Sequence, residues 1–270
     1  MILFPPAKIN LGLNVPFKRQ DGYHEIETCM YPIPFLDVLE ILPADNFSFR
    51  QTGLVIPGND SDNLCVRAYN LLKAHYSIPP VYIHLRKEIP MGAGMGGGSA
   101  DAAYVLKGLN DLFDLLIPIE ELERLAGLLG SDCPFFIKNE AQIAKGRGEI
   151  LSPCSLTLDG YYLKIVNPGI HIGTREAYAG IKFGVLTTAV KEIVEGPINN
   201  WKTNLKNDFE THIFTLHPYL AQLKNEFYNE GAVYAAMSGS GSTMFGIFKN
   251  EPSLTHQSSH GFVEKIVQLK

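Results

Sequence analysis

Cysteine is scarce in this chain of 270 residues, and its four copies form no recognisable motif. Cys29, Cys65, Cys133 and Cys154 are widely spaced, and the lack of a C-x-x-C pair argues against a structural zinc site. So few cysteines in a chain of this length are typical of a reducing compartment, so we expect a cytoplasmic protein. We expect the four thiols to be small, buried, apolar groups.

Long apolar runs and an excess of positive charge are also missing. No apolar run approaches the roughly 18 residues of a membrane span. The start, MILFPPAKINLGL, places only four apolar residues before two prolines, which argues against a secretory signal. The net charge is −5 and the isoelectric point is about 5.9, so we expect neither a nucleic-acid nor a membrane partner. Hydrophobic residues make up 46% of the chain, enough for one large domain or two smaller ones.

Glycine, by contrast, is concentrated in one segment. Residues 90–103, PMGAGMGGGSADAA, carry five glycines within their first nine positions, although ordered glycine is entropically costly. Residues 81–85, just before this segment, alternate between apolar and polar, which predicts a strand. Apolar residues at helical spacing follow the segment and predict an amphipathic helix, for which Ser99 is a candidate cap: Ala102, Val105, Leu106, Leu109, Leu112, Phe113 and Leu116.

Several interpretations of this glycine segment compete. A flexible linker fits poorly, because a strand and a helix hold both ends. Gly92, Gly94 and Gly97 match the G-x-G-x-x-G pattern of dinucleotide sites. Such a site also needs a second strand after the helix and an acidic residue about 20 positions beyond the glycines. The acidic residues at that distance, Asp111 and Asp114, still fall within the helical pattern, which argues against a dinucleotide site. A Walker loop is excluded, because no Gly-Lys-Ser/Thr follows. A cradle for phosphate groups remains, in which backbone N–H groups approach an anion at a helix start.

The rest of the sequence also predicts a mixture of helices and strands. They are, in order, helix 64–75, helix 119–129, strand 161–166, helices on both sides of Pro218, and strands 233–237 and 243–248. Cap candidates at 60–62 precede the first of these helices, and Gly130 is placed to end the second. A change of pattern near 150–158 predicts a boundary between domains 1–153 and 154–270.

Four further segments share a specific pattern with the glycine segment. They are 6–13, PAKINLGL; 21–25, DGYHE; 130–136, GSDCPFF; and 237–242, MSGSGS. In this order the five segments resemble the GHMP kinases, small-molecule kinases named after galactose, homoserine, mevalonate and phosphomevalonate. The segment DGYHE is similar to the branch with a cytidyl substrate. The resemblance implies an α/β (α+β) fold with an N-terminal domain like ribosomal protein S5 domain 2 and a C-terminal ferredoxin-like domain.

The resemblance also implies catalytic roles for Lys8 and Asp132. Asp132 would accept the proton of the acceptor hydroxyl, and Lys8 would lower the pKa of that hydroxyl and stabilise the transferring phosphoryl group. From the residues alone, two alternatives stay open: Asp132 could be a helix-capping aspartate, and Lys8 a strand lysine whose ammonium group reaches solvent.

By the same resemblance, the glycine segment binds ATP together with the Mg²⁺ that usually accompanies its phosphates. The expected ATP-binding residues are Pro90, Met91, Gly92, Ala93, Gly94, Met95, Gly96, Gly97, Gly98, Ser99 and Ala100. No carboxylate cluster for the metal is visible in the sequence, so we assign no protein metal site and expect phosphates, waters and Ser99 as ligands. Relatives usually have a second serine where this chain has Ala100, so the contact of that hydroxyl is absent here.

Two neighbouring residues fit the recognition of a cytosine base. The Tyr23 ring offers a face for stacking, and the His24 imidazole can hydrogen-bond to the pyrimidine edge. The resemblance adds Tyr178 as a second stacking ring, for which a core tyrosine is the alternative, and the turn at 238–242, for which a plain hairpin is the alternative. The expected substrate-binding residues are Asn10, Tyr23, His24, Tyr178, Gly239, Ser240 and Gly241.

The reaction that the resemblance implies is transfer of the γ-phosphate of ATP to the 2-hydroxyl of 4-diphosphocytidyl-2-C-methyl-D-erythritol, in the non-mevalonate route to isoprenoid precursors. This hydroxyl is tertiary and hindered, so we expect positioning to supply much of the rate enhancement. Two alternatives stay open: a sister kinase acting on another small alcohol, and a catalytically silent nucleotide-binding protein.

Overall fold

The computed structural model describes residues 1–184, 188–255 and 262–269. The chain forms two compact units, each assembled from separate stretches of sequence. The first unit consists of Met1–Ala7, Phe35–Met91 and Gly96–Glu140, and the second of Lys8–Pro34, Gly92–Met95 and Ala141–Lys270. Across the described ranges, no helix combines the length and the apolar character needed to cross a membrane. The domain limits 1–153 and 154–270 stay a prediction.

The described residues form a mixture of helices and strands, as the sequence predicts. The strands are β1 (Ile2–Leu3), β2 (Pro6–Asn14), β3 (Ile26–Leu36), β4 (Val38–Pro43), β5 (Ser48–Gly53), β6 (Val81–Lys87), β7 (Gln142–Gly146), β8 (Ile150–Pro153), β9 (Tyr162–Asn167), β10 (Tyr234–Met237), β11 (Met244–Phe248) and β12 (Val263–Gln268). The helices are α1 (Leu64–His75), α2 (Gly97–Leu112), α3 (Ile119–Gly127), α4 (Phe135–Lys138), α5 (Thr174–Ala179), α6 (Val190–Val194), α7 (Trp201–Asn204), α8 (Glu210–Leu216) and α9 (Pro218–Asn229). Short 3₁₀ turns occur at Asp60–Asp62 and Ile198–Asn200.

In the first unit, a four-stranded sheet has the order β1-β4-β6-β5, with β5 parallel to β6. The apolar positions of β6 recur with a period of two and are fully buried, as in a strand with one face in the core. Helix α2 packs on this sheet at Gly108, where a Cβ atom would lie 2.6 Å from Leu3 Cδ1 and 2.9 Å from Ile41 Cδ1. Glycine at this position therefore permits close approach of the helix that follows the glycine segment.

The second unit contains two further sheets, with the orders β10-β11-β9-β12 and β2-β3-β7-β8. The pairs within the first of these are antiparallel. Helix α9 packs on β10 and β11, and its buried apolar residues Leu220, Leu223 and Phe227 join a core that includes Met237 and Met244. This packing places the turn between β10 and β11 at the end of a well-buried sheet.

The predicted helices and strands all occur, but three details of the sequence analysis were wrong. Ser99 does not cap α2, because the helix begins at Gly97 and its N-cap is the left-handed Gly96. Leu116 lies beyond the end of α2, with a φ of 54° and 86% of its surface exposed. Helix α1 is capped by Asn63, whose side chain accepts a hydrogen bond from Cys65 N at 2.9 Å, and not by residues 60–62.

Candidate active site

The glycine segment has the backbone geometry of an anion cradle. Gly92, Gly94 and Gly96 have φ angles of 64°, 77° and 69°, which side chains disfavour. Left-handed residues at every second position turn successive backbone N–H groups toward one concave side. Helix α2 begins directly after Gly96, which has no side chain to bond the first N–H groups of the helix. The positive end of a 16-residue helix is therefore open to an anion.

The second unit holds residues 92–95 between strand β2 and the turn 238–242. Ser238 Oγ donates a hydrogen bond to Gly94 O at 2.8 Å and accepts one from Asn10 N at 3.2 Å. Lys8 N donates to Met95 O at 2.9 Å. A Cβ atom at Gly94 would collide with Ser238 O. The phosphate-loop segment, strand β2 and the serine–glycine turn thus form one hydrogen-bonded cluster.

Lys8 belongs to a directed chain of hydrogen bonds along β2. Its Nζ atom donates to Asn10 Oδ1 at 2.5 Å, Asn10 Nδ2 donates to Thr28 Oγ1 at 3.1 Å, and Thr28 Oγ1 donates to Gly12 O at 2.5 Å. Because a carbonyl can only accept, the direction of the chain is fixed, and the oxygen of Asn10 faces the ammonium group. Lys8 is 4% exposed, so the alternative of a strand lysine that reaches solvent is wrong.

Asp132 lies half-buried in the turn between α3 and α4. Helix α4 begins at Phe135 with Pro134 as its N-cap, so Asp132 does not cap that helix. The thiol of the neighbouring Cys133 is hydrogen-bonded to Ser99 in the first turn of α2, and burial raises the pKa of this thiol to about 11. Asp132 is therefore next in sequence to a residue that contacts the start of α2. The pairing of Lys8 with Asp132 stays a prediction, because the two residues belong to different compact units.

Two of the residues predicted to recognise a base are in contact. The His24 ring stacks on the Tyr178 ring, with centroids 4.3 Å apart and planes inclined by 18°. Burial lowers the pKa of His24, which favours the neutral imidazole with one donor and one acceptor nitrogen. Tyr23 is 56% exposed, and the guanidinium carbon of Arg147 lies 4.8 Å from the centroid of its ring. Phe183 adds a third ring next to His24, at 5.9 Å, which the sequence analysis missed.

Charged residues hold the segment 21–25 in place. Glu25 accepts hydrogen bonds from Gly146 N at 2.8 Å and from the Arg19 guanidinium at 2.9 Å. Asp21 accepts one from Tyr23 N at 3.1 Å, and this bond lowers the pKa of the Asp21 carboxyl. Glu25 therefore fixes the segment with Tyr23 and His24 to the end of β7.

A buried ion-pair network, which was not predicted from the sequence, anchors α2. The Lys87 ammonium group is fully buried and pairs with Asp37 and, at 2.8 Å, with Asp101 in α2. Asp37 also accepts hydrogen bonds from Glu88 N at 2.6 Å and Ile89 N at 2.9 Å. The burial of Lys87 could have been predicted from the alternation of β6, because Lys87 falls on the buried face two residues after Leu85. A lysine at such a position needs charged partners.

Asp101 also borders a cavity of the first unit. Its Oδ1 atom is buried and has no hydrogen-bond partner among the described residues. Burial, with a contribution from Asp37, raises the pKa of this carboxyl to about 7, although Lys87 opposes the shift. Met91, Gly98 and Leu64 line the same cavity next to the start of α2. The cavity therefore combines apolar walls, glycine backbone and the carboxyl groups of Asp60, Asp62 and Asp101.

The candidate residues thus form three groups. Lys8, Asn10 and residues 92–95 meet the turn 238–242, which contains Gly239, Ser240 and Gly241. His24 and Tyr178 stack within the same unit, and the start of α2 with Ser99 lies in the other unit together with Asp132.

Comparisons with known proteins agree on one family. The GHMP kinases N terminal domain matches residues 63–140, and the GHMP kinases C terminal domain matches residues 189–255. The chain is 47% identical over 270 residues to a 4-diphosphocytidyl-2-C-methyl-D-erythritol kinase of Cytophaga hutchinsonii, and the match covers all of both chains. It is 49% identical over 258 residues to the protein of the same name from Parabacteroides distasonis, covering 96% of this chain and 95% of the relative.

Solved structures support the same assignment. A crystal structure of 4-(cytidine 5'-diphospho)-2C-methyl-D-erythritol kinase matches with a TM-score of 0.79 and 36% identity, over 92% of this chain and 90% of the other. A homoserine kinase of Cytophaga hutchinsonii matches with a TM-score of 0.67 at 14% identity, over 98% of this chain and 94% of the other, which shows a shared fold only. The predicted two-domain fold is confirmed by these matches, and the chain belongs to the GHMP kinase family.

Proposed function

We propose that this protein transfers the γ-phosphate of ATP to the 2-hydroxyl of 4-diphosphocytidyl-2-C-methyl-D-erythritol. The observation that carries this proposal is the 47% identity, over the full length of both chains, with a kinase named for this substrate. The geometry of the glycine segment and of β2 is consistent with such a reaction. Enzymes of phosphoryl transfer act mainly by positioning the reactants and stabilising charge.

The glycine segment binds the phosphates of ATP. The left-handed glycines and the open N-terminus of α2 offer backbone N–H groups and a partial positive charge. A side chain at Gly94 would collide with Ser238 O, so the close packing of this loop requires glycine. The cavity bordered by Met91 and Leu64 lies next to the same helix start and is suited to the adenosine part.

Lys8 and Asp132 act on the acceptor hydroxyl. Asp132 accepts the hydroxyl proton on a carboxylate oxygen while the bond to phosphorus forms. The Lys8 ammonium group stabilises the negative charge that develops on the transferring phosphoryl group. The Lys8 side chain is buried and its ammonium is oriented by Asn10 Oδ1, so little reorganisation is needed during the reaction.

The cytidyl group binds to the aromatic residues of the second unit. Cytosine stacks on Tyr23 and Tyr178, and the neutral His24 bonds to the polar edge of the base. Gly239, Ser240 and Gly241 contact the phosphate part of this substrate through the backbone. Because the His24 ring stacks on Tyr178, we expect the His24 ring to move when a base stacks on that face of Tyr178.

Mg²⁺ would accompany ATP, and phosphate oxygens would supply most of its ligands. Among the described residues, no group of three His, Cys, Asp or Glu side chains could hold a metal ion. The Ser99 hydroxyl, at the start of α2, would be the side-chain ligand that we propose for it. The chemistry that the metal would supply is neutralisation of part of the phosphate charge. The use of ATP and a nucleotide-linked alcohol is consistent with a cytoplasmic location.

The proposal is tested by assaying ADP release from the purified protein with ATP, Mg²⁺ and a panel of alcohols. The panel contains the cytidyl substrate, mevalonate, phosphomevalonate and homoserine, and phosphorus NMR identifies the product. We expect turnover with the cytidyl substrate alone. Efficient turnover of an alcohol without a cytidyl group would replace the proposed substrate with that alcohol. ATP binding without turnover of any alcohol would indicate a silent nucleotide-binding protein.

A further inference from the structure

The segment 207–210, NDFE, connects the serine–glycine turn with the end of β2, although no pattern in the sequence predicts a role for it. Asn207 is 3% exposed. Its Nδ2 atom donates to Met237 O and to Gly239 O, both at 2.8 Å, and its Oδ1 atom accepts from Phe209 N at 3.0 Å. Both N–H groups of the amide are therefore used by the two carbonyls on either side of Ser238.

The positions of the Met237 and Gly239 carbonyls determine where the Ser238 side chain lies. Ser238 lies between them, and its hydroxyl bridges Gly94 O and Asn10 N. A displacement of the backbone at Met237 or Gly239 would shift this hydroxyl. It would therefore also disturb the contact of the turn with the phosphate-loop segment and with the strand that carries Lys8.

The neighbours of Asn207 fix its own position. Asp208 Oδ2 accepts hydrogen bonds from Val15 N and Asn14 Nδ2, each at 2.8 Å, at the end of β2. Glu210 Oε1 accepts from Met237 N at 2.8 Å, and Glu210 pairs with Lys224 at 2.5 Å. On the other side of Asn207, Lys206 O accepts a hydrogen bond from Leu13 N at 2.8 Å. The backbone is thus held on both sides of Asn207, so its amide can act as a rigid support.

We propose that Asn207 is a positioning residue that holds the turn 238–242 in the conformation needed to bind the acceptor substrate. This inference rests on the proposed function, in which Gly239, Ser240 and Gly241 contact that substrate. The side chain acts through the carbonyls of Met237 and Gly239 and does not touch the reacting atoms. A role in folding alone would change stability but not the balance between the two substrates.

The experiment compares Asn207→Asp and Asn207→Ala with the wild-type protein. Aspartate has nearly the same shape, but its carboxylate would face two carbonyl oxygens instead of donating to them. We expect kcat/KM for the acceptor alcohol to fall about tenfold or more, since more than one hydrogen bond is lost, and KM for ATP to rise by a smaller factor, because the turn reaches the phosphate-loop segment indirectly, through the Ser238 hydroxyl. In hydrogen exchange without ligands, amides 238–242 should exchange faster in both variants.

The matched control is Asn110→Ala, which removes the hydrogen bond that Asn110 Oδ1 accepts from Ile117 N and leaves the turn untouched. All assays are run well below the melting temperature of each variant, so a general loss of stability is separated from a loss of positioning. Equal losses in the Asn110 and Asn207 variants, or unchanged exchange at 238–242, would overturn the inference. The acceptor used for the variants is the alcohol that the wild-type protein phosphorylates in the panel assay described above. An error in the proposed substrate is therefore detected before the variants are compared.

Discussion

Replacing Lys87 with methionine tests whether the ion-pair network below α2 holds the glycine segment in place. Methionine keeps the length and the apolar stem of lysine but removes the ammonium group that Asp37 and Asp101 share. Removing one partner of a buried ion pair costs about 3–5 kcal/mol, because the remaining charge is left uncompensated. We expect a value near the lower limit, because both carboxyl groups retain some compensation. Asp101 can take up a proton, and Asp37 still accepts hydrogen bonds from the backbone N–H groups of Glu88 and Ile89.

The loss is measured by chemical denaturation and by thermal melting. A loss of about 3 kcal/mol corresponds to a decrease of about 6–12 °C in the melting temperature for a chain of this size. Asp101→Asn is the matched control, since it removes a charge from the same network and leaves Lys87 paired with Asp37. We expect this variant to be close to neutral, and the KM for ATP should rise in Lys87→Met more than in Asp101→Asn.

The dependence on pH provides a second test of the same network. Because burial raises the pKa of Asp101 to about 7, the folded protein keeps a proton on this carboxyl between about pH 4 and pH 7 that the unfolded chain releases. The free energy of unfolding therefore falls as the pH rises through this range, and Asp101→Asn should remove this part of the dependence. A loss below about 1 kcal/mol in Lys87→Met, or an unchanged pH dependence in Asp101→Asn, would refute the reasoning.

The remaining predictions concern the residues that act on the two substrates. Asp132→Asn should keep ATP binding, measured by titration, but lose most turnover, since an amide cannot accept the hydroxyl proton; unchanged turnover would remove Asp132 from its role. Tyr23→Ala should weaken binding of the cytidyl substrate by about tenfold or more while ATP binding stays nearly constant, because base stacking contributes about 1–3 kcal/mol. Separate titrations of each ligand check this difference, and equal weakening of both would contradict it.

The secondary structure around the glycine segment could be predicted because it depends on residues that are close together in the sequence. The alternation in β6, the run of glycines and the helical spacing after residue 97 each fix the backbone within a few residues. The start of α2 was nevertheless misplaced by the expectation that Ser99 is the cap. The left-handed Gly96 serves as N-cap without a side chain, which places Ser99 inside the helix and next to Cys133.

The contacts that hold the candidate site were harder to predict, because they join residues far apart in sequence. Asp37 and Lys87 are separated by 50 positions, and Asn10 and Ser238 by 228. Neither helical nor strand periodicity in the sequence indicates that residues so far apart are in contact. The burial of Lys87 was predictable from its place on the inward face of β6, but its partners follow only from the packing of α2 on the sheet.

Ala100 illustrates how a departure from the usual family pattern can leave the proposed cradle intact. Ala100 is fully buried in α2, and its N–H group donates to Gly96 O at 2.9 Å. A serine at this position would bring a buried hydroxyl that needs a partner, and within a helix that partner is commonly the carbonyl four residues earlier. Alanine removes this requirement and favours the helix. The left-handed glycines and the open helix start depend on the backbone, so the anion-binding geometry does not require a side chain at position 100.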